Sequence, residues 1–166
     1  MAAAAWSFYA LGNPAPQGSK SFRGTRNGKG VMVESSARLR PWRETVKAAA
    51  PAIPEPLDGP LAVIMVFTVP RPRSEPKRST IPYRTPDLSK LARAVEDACT
   101  DAGLWVDDAR VASYERLEKV WPDTGGLALP VPGVVVACGP YPARKSLGLL
   151  GWVAARDACV RVRGAP

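Results

Sequence analysis

The stretch Thr85-Pro86-Asp87-Leu88-Ser89-Lys90-Leu91-Ala92-Arg93-Ala94-Val95-Glu96-Asp97-Ala98 is followed, after four residues, by Gly103-Leu104-Trp105-Val106-Asp107-Asp108-Ala109-Arg110-Val111. Leu88, Leu91, Val95, Ala98, Cys99 and Ala102 recur at helical spacing, so a helix over 87–102 turns one apolar stripe to a core. Thr85 reads as its cap and Pro86 as its first helical residue. Gly103 is a natural stop. Asp87 falls in the first turn, where exposed amides favour a carboxylate. Asp107 and Asp108 lie beyond the helix end and before a strand, where neither can cap that helix. Carboxylates therefore stand at the helix start and again just past its end.

Outward from this helix, Leu61 to Val69 is an unbroken apolar run with the length and β-branching of a buried central strand. Trp6 to Leu11 reads as a strand ended by Gly12-Asn13-Pro14. Ser36 to Ala50 reads as a helix with Pro41 near its first turn and Pro51 stopping it. Arg110 to Val120 and Val131 to Ala137 complete the strands. Pro14 to Gly30 and Pro70 to Tyr83 are read as basic loops. The order is strand, helix, strand, helix, strand, strand. It predicts an α+β fold, a mixed sheet of about four strands with two main helices packed on it. The domain is placed at residues 1–139. Residues 140–166 form a C-terminal extension, either a short helix from Leu147 to Arg156 or a loose tail.

The chain has 166 residues, 46% of them hydrophobic, enough for one core. No apolar run approaches the roughly 18–20 residues of a membrane span, and the start lacks the features of a signal peptide. A cytoplasmic protein with no membrane partner is expected. Cys99, Cys138 and Cys159 are scattered, with no CxxC pair to suggest zinc, and Cys99 and Cys138 are expected in the core. The chain contains no histidine, which excludes a histidine base or a Ser-His or Cys-His pair. Hydrolysis would have to rest on carboxylates, a metal, or Lys and Arg. The net charge of +8 implies a polyanionic partner, with nucleic acid first and an anionic membrane surface second.

Each acid has an ordinary structural role to set beside a chemical one. Asp87 can be a helix-start residue, and Asp107-Asp108 can be a plain turn. Ser89, Arg93 and Glu96 share a helix face, and Arg93 can pair with Glu96 or Asp97 or neutralise charge on a phosphate. Two acidic positions kept together in so basic a chain favour a metal site. Mg²⁺ typically takes one or two protein carboxylates and fills its shell with water and phosphate oxygens.

Pro86-Asp87-Leu88-Ser89-Lys90-Leu91, Arg93, Asp97-Ala98-Cys99-Thr100, Gly103, Trp105 and Asp107-Asp108 together resemble the RusA family of Holliday junction resolvases. The family pattern runs Pro-Asp-Leu-Asp-Lys-Leu, a basic helix residue, Asp-Ala-Leu-Thr, Gly, Trp and Asp-Asp. Gly12-Asn13-Pro14-Ala15-Pro16-Gln17-Gly18-Ser19-Lys20 is similar to its opening loop. The resemblance covers about residues 6 to 138 and is of the kind found in phages and prophages. It implies a RusA-like fold, metal-ligand roles for Asp87 and Asp108 with Asp107 beside them, and a catalytic cation at Arg93. It also implies a homodimer acting on four-way DNA junctions in recombination and repair. The family's second helix-start Asp is Ser89 here, which removes one negative charge. Glu96, on the same face, is the expected replacement ligand; the alternative is a junction-binding protein that does not cut.

The resulting expectation is a Mg²⁺-dependent (Mn²⁺ possible) endodeoxyribonuclease that makes paired cuts in a junction. Asp87, Arg93 and Asp108 would be catalytic. Asp87, Asp107, Asp108 and Glu96 would hold metal. Lys20, Arg23, Arg26, Arg71, Arg73, Lys77, Arg78 and Lys90 would hold the phosphate backbone, which positions DNA without reading its sequence.

Overall fold

The computed structural model describes residues 5–18, 20–26, 29–34 and 37–141. Six strands and two helices follow in the order β1 (Trp6–Leu11), β2 (Lys20–Arg26), β3 (Lys29–Glu34), α1 (Leu39–Ala49), β4 (Leu61–Thr68), α2 (Leu88–Asp101), β5 (Val111–Val120) and β6 (Gly133–Pro140). A single 3₁₀ turn, Asp108–Arg110, precedes β5. The main sheet has the order β1-β6-β4-β5. β6 is antiparallel to β1 and β4, whereas β4 and β5 are parallel. The expected α+β fold, a four-stranded mixed sheet with two helices, is what forms.

β4 is buried along its whole length, as its continuous apolar sequence requires of a strand covered on both faces. Val63, Met65 and Phe67 meet Leu39, Trp42 and Val46 of α1 and Leu91, Val95 and Ala98 of α2 in the main core. Ile64 and Val66 point to the other face, under Leu127 and Ala137. There Thr68 Oγ1 accepts from the Leu129 amide at 2.8 Å, tying the segment after β5 across the sheet. Cys99 and Cys138 are buried and reduced, as expected, and burial pushes the Cys138 thiol up to about 12. Cys159 and the expected helix from Leu147 lie outside the described residues.

Several expected boundaries shift. Pro14 to Gly30 is not all loop: β2 and β3 pair with each other as a separate antiparallel hairpin. Interleaved Gly, Ser and basic residues hide the strand alternation there. α1 starts at Leu39 rather than Ser36, after an Arg38 that offers no side-chain cap. Arg110 belongs to the 3₁₀ turn and not to β5, and β6 lies two to three residues later than expected. Thr85 does not cap α2 and Pro86 is outside it. Their peptide bond is cis, and Asp87 takes the cap position with extended backbone. Gly103 ends the helix as expected, with a positive φ of 72°. Trp105, 1% exposed, then anchors the exit by donating to Thr100 Oγ1 at 2.8 Å.

Among the described glycines the closest approach is at Gly133, where β6 enters against β1. A Cβ there would stand 2.4 Å from the Ala10 carbonyl oxygen and 2.8 Å from Leu129 Cδ1. The oxygen is backbone and cannot swing aside. Gly133→Ala is expected to destabilise the fold by about 2–3 kcal/mol, the upper range for overpacking, read as a fall in the denaturant midpoint. An unchanged midpoint would show that β1 and β6 separate freely.

Candidate active site

β5 runs back along α2. Its beginning therefore faces the later turns of the helix and its end faces the helix start. Two contacts fix this direction: the Tyr114 hydroxyl donates to Glu96 Oε1, and Lys119 Nζ donates to the Pro86 carbonyl at 2.8 Å.

At the far end of α2 the acids crowd together. Asp107 caps the 3₁₀ turn, its Oδ1 accepting from the Ala109 amide at 2.8 Å. Asp108 is exposed and faces the charges of Glu96 and Asp97. Burial raises the pKa of Glu96 above the ordinary 4.5; the Tyr114 hydrogen bond opposes this, Asp108 and Asp97 add to it, and Arg93 opposes it. Burial likewise raises Asp97, with Arg43 opposing and Asp108 adding. Burial and the bond to Glu96 keep the Tyr114 phenol protonated. Arg93 is thus brought to these acids, as its position on the helix face implied. Asp97 pairs not with Lys90 or Arg93 but with Arg43 of α1, at 3.2 Å, and Arg43 also holds Asp101 at 2.6 Å.

A raised carboxylate pKa means that the folded state favours the protonated form. The stabilising contribution is present below the unfolded value and is lost as pH rises through the folded one. Glu96→Gln keeps an acceptor for Tyr114 and removes the charge. It should raise stability at pH 7, by less than ~1 kcal/mol because solvent screens a half-exposed group, and give no gain at pH 4. Melting curves at the two pH values check this. A loss of stability at pH 7 would show that Glu96 is held by attraction rather than crowded by repulsion.

At the near end, Asp87 is exposed. It makes no cap bond, and its Oδ2 lies 3.2 Å from Lys90 Nζ. Lys119 also donates to the Arg84 carbonyl at 2.6 Å; burial lowers its pKa, and Asp87 opposes that. The Gln17 amide donates to the Lys90 carbonyl at 2.9 Å. This brings the segment from Gly12, with Pro14 and Ala15 buried, onto the first turns of α2. Two motifs far apart in sequence meet at that bond.

Asp87 and Glu96 are nine residues apart on α2, a rise of about 13 Å. Glu96 therefore cannot reach back to share an ion with Asp87 in the same chain, contrary to expectation. Among the described residues, no three His, Cys, Asp or Glu side chains gather as a metal site. What one chain brings together is a pair of hard oxygen donors, Asp108 and Glu96, with Asp107 next in sequence and turned to the Ala109 amide. The mutual repulsion there is what a hard cation would relieve, so the donor chemistry fits Mg²⁺ while the ligand set of a single chain is incomplete.

The basic residues sort into different roles. Arg71 donates to the carbonyls of Pro76, Lys77 and Ser79 at 2.9, 3.1 and 3.2 Å and lies over the Trp121 ring. It ties its own loop together rather than standing free for phosphate. Arg73, Lys77 and Arg78 are exposed on that loop, and Lys90 is engaged by Asp87. Lys20, Arg23 and Arg26 lie on β2. Sequence reading gave no role to Tyr114, Lys119 or Arg84. Their contacts arise from the direction of β5 and the path of the loop before α2, which no local pattern encodes.

The sequence pattern of the family described as Endodeoxyribonuclease RusA matches residues 12–131. The chain belongs to this RusA family. The match takes in both ends of α2, the Gly12 segment and the 3₁₀ turn. No individual curated protein matches the chain. RusA membership makes the protein a junction-resolving type of endodeoxyribonuclease, acting on branched DNA in recombination. No helix among the described residues is long and apolar enough to cross a membrane.

Proposed function

We propose that the protein is a Mg²⁺- or Mn²⁺-dependent homodimeric endonuclease that resolves four-way DNA junctions by paired phosphodiester hydrolysis. The observation that carries this reading is the crowding of Asp108 against Glu96 and Asp97 in a chain of net charge +8. Burial first, and the charge of Asp108 in addition, raise the pKa values of Glu96 and Asp97, which is costly for the fold and useful for chemistry. In this reading Asp107, Asp108 and Glu96 hold the cation from one chain. A bound divalent ion supplies an acidified water and neutralises charge on the phosphate.

The residues of the chain supply the rest. Arg93, beside the acids, places a fixed positive charge near the reacting phosphate. Tyr114 holds the Glu96 carboxylate in one orientation through its hydrogen bond. Exposed Arg73, Lys77 and Arg78, with the basic β2, follow the phosphate backbone. Asp87, at the opposite end of α2, completes the ligand set from a second copy. A two-fold dimer, the commonest oligomer, matches a junction that needs two symmetric cuts.

A second reading is favoured by Ser89 and by the incomplete ligand set: a protein that binds junctions and does not cut them. A synthetic four-way junction and a matched linear duplex, each with Mg²⁺, with Mn²⁺ and with chelator, separate the two. Paired cuts confined to the junction and abolished by chelator are expected. Tight junction binding with no cutting in either metal would give the assignment to the second reading.

A further inference from the structure

Beside the start of α2 lies a cleft that the proposed chemistry does not use. It has a volume of about 210 Å³ and is lined by Pro70, Pro72, Glu75, Tyr83, Arg84 and Trp121, among others, with Pro86 at one side. This is smaller than the ~300–1,000 Å³ clefts that take drug-sized ligands and suits one flat ring. Two of its residues each bury one polar atom that lacks a hydrogen bond. Glu75 is 7% exposed and Trp121 5% exposed, and neither Glu75 Oε1 nor Trp121 Nε1 has a hydrogen-bond partner. Buried polar atoms are nearly always paired, so an unpaired acceptor and an unpaired donor on two residues that line one cleft point to a ligand carrying both.

The rest of the lining narrows the chemistry. The carboxylate disfavours a phosphate inside the cleft. Prolines and two aromatic rings offer flat apolar faces. Cations surround the site: Arg84 lies 3.8 Å from the Glu75 carboxylate, and Arg71 covers the Trp121 ring at 5.5 Å. Tyr83 stands 68% exposed beside them. A polyanion would thus be drawn to the rim while a neutral ring enters. Nucleobases have the required shape, present N–H donors next to acceptors, and stack on aromatic faces. A base within a duplex cannot bring its pairing edge into such a cleft, whereas an unstacked one can.

We infer that this cleft receives one unstacked base of the branched DNA, with Glu75 accepting from a base N–H and Trp121 Nε1 donating to a base acceptor. The inference rests on the junction reading above and adds to it a site that senses the opened branch. Through Thr85 and Pro86, which also line the cleft, the captured base sits directly beside Asp87. Capture would position the strand next to the helix start.

The test uses the full chain with ¹⁵N-labelled tryptophan in chelator, so that cutting plays no part. The chain has five tryptophans, and Trp121→Phe identifies the Trp121 indole signal by its loss. An intact four-way junction should move that signal, and the same junction with abasic residues at the branch should not. Glu75→Met and Trp121→Phe, each checked by a melting curve, should weaken binding of the intact junction by about tenfold, the scale of one base contact. Neither should change binding of the abasic junction more than about twofold, since the lost contact is absent there. A Trp121 signal that stays still while the junction binds overturns the cleft assignment and leaves the junction reading standing. A signal that moves equally with the abasic junction removes the base as occupant. A junction that does not bind at all sinks the junction reading and the cleft inference with it.

Discussion

Asp108→Asn is expected to lower cutting of a four-way junction at least ~100-fold, the scale of removing one group that serves developing charge, while junction binding stays equal or tightens. The structure makes this a clean substitution. Asp108 is exposed, and the cap of its turn comes from Asp107, whose Oδ1 takes the Ala109 amide. Asn has nearly the same shape and removes one charge. That loss relieves the repulsion on Glu96 and Asp97 and any repulsion toward phosphate. The melting temperature should therefore hold or rise slightly. Cutting at the normal rate in this variant would take Asp108 out of the site, and a fall in both cutting and stability would assign it a structural role instead.

The parts of the fold legible in the sequence are those where one period dominates. β4 is a plain apolar run, α2 has an uninterrupted helical stripe, and Gly103 stands where a left-handed residue must end it. The hairpin of β2 and β3 was hidden because its residues pair only with each other. Interleaved glycines and basic residues blur the alternation in that stretch. The site was legible as residues but not as geometry. Asp107 and Asp108 stand out as acids in a basic chain, and Arg93 follows from helix phase. Their distance from Asp87 depends on β5 running parallel to β4, which turns the intervening helix the other way and sends Asp87 and Asp108 to opposite ends. Tyr114 and Lys119 gain their roles from the same direction. The cleft at Glu75 is further removed from local sequence, since its lining joins the loop after β4, which Arg71 ties through three of its carbonyls, to Trp121 after β5.

The separation of the acids leads to the most demanding test. If a working site takes Asp108 from one chain and Asp87 from its partner, Asp87→Asn and Asp108→Asn should each be inactive alone, yet mixing them should restore cutting. In a mixed dimer one site joins the two substituted residues and the other joins the two intact ones. Random reassortment makes half of the dimers mixed, each with one intact site, so about a quarter of wild-type sites return in a two-fold dimer. Those dimers should nick one strand of the junction and fail to make the paired cut, which a denaturing gel separates from full resolution. Folding is not at risk in either parent. Asp87 makes no cap bond, and its pair with Lys90 is exposed, a contact worth roughly 0–1 kcal/mol. A site built within one chain predicts no recovery at any mixing ratio, because a chain lacking Asp87 or Asp108 would then never hold an intact set. Recovery of nicking toward one quarter, with resolution still absent, would place Asp87 and Asp108 across the dimer. It would also explain how a family member with Ser89 in place of an acid still assembles its chemistry.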